Sequence, residues 1–67
     1  MTMKQQLGYV FENGIEVIVT YTDAGETVKA IGLITHRSDY DDNYYDMVDA
    51  DNVSHGFTPD DIKELVY

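Results

Sequence analysis

The residues best suited to chemistry gather in one stretch, RSDYDDNYYDMVDADN, residues 37 to 52, which carries six aspartates and three tyrosines behind a single arginine. Calcium is the first chemistry to test, because Asp39, Asp41 and Asn43 stand at the alternate spacing with which an EF-hand loop begins. Such a loop needs glycine at its sixth position and glutamate at its twelfth, and this chain has Tyr44 and Ala50 there. The EF-hand reading fails, and a solvated loop is a plainer account of Asp39, Asp41, Asp42 and Asp46 than a loose cation site. Zinc would have to rely on His36, His55 and carboxylates, since the chain has no cysteine. No metal and no other cofactor is expected.

Catalysis finds no better footing. Ser54 and His55 are adjacent, and neighbours on a strand point to opposite faces, so the imidazole cannot take the hydroxyl proton there. Carboxylate pairs abound, but glycosidase chemistry sets two of them across a substrate cleft, and 67 residues leave little volume for one. No set of nucleophile, base and oxyanion donors can be assembled, so the sequence predicts a protein that is not an enzyme. His36 and His55 read as surface histidines paired with aspartates.

Binding is left. Tyr21 and Tyr45 fall in phase with the core positions of strands, whereas Tyr40 and Tyr44 sit among aspartates and are expected at the surface, where tyrosine brings large contact area at low entropy cost. From Ser38 to Ile62 there are eight aspartates and no lysine or arginine, and the whole chain carries a net charge of −9. That charge opposes direct binding to phosphate backbones and attracts basic surfaces, including those with which other proteins hold nucleic acid. Residues two apart on a strand lie about 6.6 to 6.8 Å apart, close to the phosphate spacing along one nucleic-acid strand. Asp39 with Asp41, and Asp49 with Asp51, have that interval where the chain is extended. The sharper reading is a face built by Asp39, Tyr40, Asp41, Asp42, Tyr44, Asp46, Asp49 and Asp51. It would stand in for nucleic acid in the groove of a basic, nucleic-acid-handling protein. The plainer reading is an acidic face that only keeps the protein in solution.

These residues need a scaffold, and the chain is long enough for a single domain, residues 1–67, that buries about 60% of its unfolded surface. Residues 1–7 are a polar start, free to be flexible. No run approaches the roughly 18 apolar residues of a membrane span, and the start lacks the regions of a secretory signal, so a cytoplasmic protein with no membrane attachment is expected. The absence of cysteine suits a reducing compartment.

Period-two alternation marks a strand in NGIEVIVTYTD, with Ile15, Val17, Val19 and Tyr21 on one face. DAGET supplies a turn at Gly25, and VKAIGLITHR is a second strand in which Gly32 predicts a bulge or sharp bend. YYDMVDA is a third strand, with Tyr45 and Met47 on one face, and DADN a hairpin tip. VSHGF is a fourth. TPDDI then reads as one 3₁₀ turn capped by Thr58 with Pro59 at its first position, and Asp60 and Asp61 either cap it or extend the acidic face. KELVY closes the chain as a fifth strand.

The order of IEVIVTY, AIGLI, YYDMVDAD and GFTPDDIKEL resembles the SH3-like small barrels, including KOW-type and Tudor-type modules, from about residue 8 onward. The fold class expected is therefore all-β, a small five-stranded SH3-like barrel with a 3₁₀ turn before the last strand. The resemblance also implies an alternative function: a structural or adaptor module binding through an apolar groove, or through a Tudor-like aromatic cage of Tyr40, Tyr44 and Tyr45. In size and charge the chain is also similar to small acidic inhibitors encoded by phages and mobile elements, which implies action by competition.

Overall fold

Alternating burial appears where the sequence alternates. In the computed structural model, which describes residues 1–38 and 44–67, Val17, Val19 and Tyr21 of β1 (Val17–Asp23) turn inward while Ile18 and Thr20 face out. Strand β1 pairs with β2 (Glu26–Arg37) in an unbroken antiparallel register from Val17↔Gly32 to Asp23↔Glu26. The loop between them is two residues, Ala24 and Gly25, both at positive φ (49° and 82°). That is the backbone sense that matches hairpin twist.

The remaining strands are β3 (Tyr45–Asp49), β4 (Ser54–Phe57) and β5 (Ile62–Val66), with a 3₁₀ turn at Pro59–Asp61 immediately before β5. They form one five-stranded antiparallel sheet in the order β4-β3-β2-β1-β5. The fold is thus mostly sheet with the predicted strand number and the predicted turn. It is also curled: the Tyr21 ring of β1 lies 5.1 Å from the Phe57 ring of β4, although β2 and β3 stand between those strands in the sheet.

Gly32 fills the role of a close approach more than that of a bulge. A Cβ on it would run into the Val48 carbonyl oxygen and stand 2.8 Å from the Asp49 Cα, so β3 packs against its bare backbone. The register shifts fall elsewhere, between Thr20 and Tyr21 and between Ile34 and His36.

The sequence reading assigned no element to the polar start, which instead forms helix α1 (Met3–Glu12). Thr2 caps it reciprocally: its Oγ1 accepts from the Gln5 backbone N–H at 3.1 Å, and the Gln5 side-chain oxygen accepts from the Thr2 N–H at 2.8 Å. Leu7 and Val10 on one face are fully buried with Val17, Val19, Tyr45, Met47 and Phe57. The helix is part of the core, not a flexible lead.

Sheet polarity leaves an outer face that α1 does not bury. Val66, Ile18 and Ile31 are cross-strand partners in a row, and Leu33, two residues along β2 from Ile31, pairs with Val48. Ile31, Leu33 and Val66 are each close to half exposed (47%, 45% and 45%).

Candidate functional site

Of the eight residues of the predicted acidic face, the structure describes four, Tyr44, Asp46, Asp49 and Asp51. Asp39, Tyr40, Asp41 and Asp42 lie outside the described residues. Tyr44 and Asp46 share the outer face at β3. The Tyr44 ring lies over Gly56 of β4, where a Cβ would come within 2.6 Å of the ring carbon bearing the hydroxyl, so Tyr44 is exposed at one side and seated at the other. Asp51 is exposed at the β3–β4 hairpin tip, beyond the end of β3.

Asp49 is used by the fold itself. Its Oδ1 accepts the backbone N–H groups of Asp51 (2.9 Å) and Val53 (3.0 Å), closing the hairpin. Its Oδ2 stands 2.8 Å from Nε2 of His55. These bonds favour the carboxylate and hold its pKa below the ordinary aspartate range, the His55 contact being the largest cause and the Val53 N–H next. A carboxylate so occupied is not a free group for a partner. Asp61 is similarly engaged, accepting from the Thr58 N–H at 3.0 Å and from its hydroxyl at 3.1 Å, whereas Asp60 is exposed.

Sequence reasoning paired His55 with an aspartate, as found, but set it at the surface and missed its second partner. Its Nδ1 is 2.9 Å from the Tyr21 hydroxyl, so Tyr21, His55 and Asp49 form one hydrogen-bonded chain across β1, β4 and β3. A carboxylate can only accept, so Nε2 carries a proton toward Asp49, and in the neutral ring Nδ1 accepts from the tyrosine. The hydroxyl–imidazole–carboxylate order is that of a nucleophile chain, but Tyr21 is only 4% exposed. Burial chiefly, and then Asp23 and Tyr44, raise its pKa above the ordinary phenol value. A raised pKa is the reverse of nucleophile activation. The chain instead satisfies buried polar groups and ties three strands together. One half of it was accessible from sequence: a tight turn at DADN puts Asp49 and His55 on the same side of one hairpin. Tyr21, 34 residues from His55, carried no such signal.

Tyr45 is 1% exposed, so its ring belongs to the core and cannot serve as a wall of an aromatic cage. The groove between α1 and β2 is not apolar either, being lined by Lys4, Gln5, Glu12 and Arg37 as much as by Tyr9 and Tyr45. Arg37 reaches Glu12 at 3.7 Å and lies 5.4 Å over the Phe11 ring, which fastens the helix to the sheet.

Charge accounting separates structural from available carboxylates. Among the described residues Glu12, Asp49 and Asp61 are engaged, while Glu16, Asp23, Glu26, Asp46, Asp51, Asp60 and Glu64 make no side-chain hydrogen bond or ion pair. No three His, Asp or Glu side chains among the described residues are placed to hold a metal ion. None of the described helices is long and apolar enough to cross a membrane. Set against known protein families, curated proteins and solved structures, the chain matches none of them.

Proposed function

We propose that this chain is a non-enzymatic binding module that engages a protein with a basic surface, and that its class of partner is a nucleic-acid-handling protein whose phosphate-binding groove it occupies in competition with nucleic acid. The observation that supports the reading is the accounting of carboxylates. A fold that used its acids for internal ion pairs would pair them with its four lysines and arginines, yet among the described residues only Glu12 does so. Seven described carboxylates, six of them exposed, are left without an ion pair on a body only 25 × 23 × 20 Å in extent. Such a density of unpaired like charge weakens the chain on its own and becomes favourable against lysines and arginines. A meander whose β1 pairs with β5, preceded by a 3₁₀ turn, also agrees with an SH3-like barrel, which we propose as the scaffold.

The test is a pull-down with the immobilised domain, eluted in parallel with duplex DNA and with raised salt. A basic nucleic-acid-binding protein released by both is the expected result. Reversal of Asp46 and Asp51, or of Asp41 and Asp42, to lysine should abolish its retention. Retention that ignores DNA, salt and all four reversals would remove this function. The second reading, an adaptor binding through an aromatic cage, loses Tyr45 to the core and is not favoured.

A further inference from the structure

The outer face of the sheet holds a feature that charge alone does not account for. Val66, Ile18, Ile31, Leu33 and Val48 run without interruption across β5, β1, β2 and β3, each one a cross-strand partner of the next or two positions from it on the same strand. Cross-strand partners have Cβ atoms about 4.5 to 5.5 Å apart, and same-face neighbours on one strand lie about 6.6 to 6.8 Å apart, so these five aliphatic residues line up as one stripe. Scattered apolar residues on a surface are ordinary, whereas a continuous stripe on the solvent side of a sheet marks a place where something docks.

The rim identifies the occupant. Glu64 lies two residues from Val66 and Asp46 two from Val48 on the same face, Glu16 is exposed just before β1 and two residues from Ile18, and none of the three is engaged in a hydrogen bond or ion pair. Lys29, two residues from Ile31, adds a cation to this face of the strands. A second copy of the chain would set these carboxylates against their own kind, with −9 on each side. A partner with an apolar centre surrounded by lysine and arginine meets both the stripe and its rim.

We propose that this stripe is the docking surface for such a partner: a protein surface with an aliphatic or aromatic centre and a basic border. The proposal rests on the basic-partner reading and adds that apolar burial, not charge alone, supplies the holding power.

Two synthetic strand peptides of equal positive charge test it on the intact chain, one alternating lysine with leucine and one alternating lysine with serine. Affinity is read by calorimetry and location by amide chemical shifts. The lysine–leucine peptide should bind at least about tenfold more tightly, with shifts centred on Ile18, Ile31 and Leu33. Ile31→Ser with Leu33→Ser should bring it down to the lysine–serine level. Should the double variant fail to melt cooperatively, Val66→Ser at the end of the stripe gives the same comparison with a smaller expected loss. Equal binding of the two peptides would overturn the stripe while leaving the basic-partner reading intact. Binding of neither would overturn both. Sedimentation showing a dimer that Ile31→Ser with Leu33→Ser dissolves would give the face to a second copy instead and overturn the proposal.

Discussion

Gly32 is held by what stands in front of it, since β3 passes so close that any side chain would displace the backbone at Val48 and Asp49. Gly32→Ala should therefore cost about 3 kcal/mol, at the upper end of overpacking penalties, because backbone cannot swing aside as a flexible side chain does. A urea titration measures it, and a loss under about 1 kcal/mol would mean the strands separate there at little cost. Asp49 makes a different prediction. A carboxyl whose folded pKa is below its unfolded value binds its proton less readily when folded. Its contribution is complete above the unfolded value, about 3.9, and is lost as the pH falls through the lower folded value. The urea midpoint should fall as the pH drops below about 4, and the fall should shrink in Asp49→Asn. An identical acid slope in both proteins would show that the bonds to His55 and Val53 do not govern it. Asp49 was read from the sequence as part of a binding face, whereas the structure shows its oxygens engaged within the fold: composition counts a carboxylate without showing whether a turn has already claimed its oxygens.

At the scale of elements, the strands were legible and the helix was not, although its signals were present. Thr2 and Gln5 stand three apart as a reciprocal cap, and Met3, Leu7, Val10 and Phe11 follow the helical period. Gly8 and the polar company of Lys4, Gln5 and Gln6 weakened that pattern. Gly8 sits where the Arg37 guanidinium approaches, 3.6 Å from where a Cβ would be. The five strands were readable because each alternates over a short run bounded by turn residues. The contacts that curl the sheet were not, since they join Tyr21 to His55 and Phe57 more than 30 positions away. If α1 is an integral part of the core, Leu7→Ala should destabilise the whole molecule by about 2 to 5 kcal/mol and lower a single cooperative transition. A helix that melts separately, leaving the sheet's transition where it was, would show it to be an appendage.

Over the whole molecule the net charge of −9 is spread within a radius of gyration of 10.6 Å. At about 0.01 M salt the screening length is roughly 30 Å, longer than the 25 Å greatest extent of the molecule, so every carboxylate feels all the others; at about 1 M it is roughly 3 Å. Stability should accordingly rise as sodium chloride is added, the reverse of what a fold built on surface ion pairs would do. Thermal midpoints across that range decide it, and a falling midpoint would mean that attraction between Arg37 or the lysines and their acids outweighs the repulsion.

The strand order carries a consequence in time. Pairing β1 with β2, β2 with β3 and β3 with β4 joins neighbours along the chain, but Ile18 and Val66, partners across β1 and β5, are 48 positions apart. Chain entropy makes that pairing the slowest contact to gain, since long-range pairings come after local ones. The last strand should then be absent from the folding transition state. Leu65→Ala would quicken unfolding and leave the refolding rate nearly unchanged. The lifetime of the native state would thus be governed by five residues at the C-terminal end of the sheet, Ile62 to Val66, rather than by the hairpins that make up most of it.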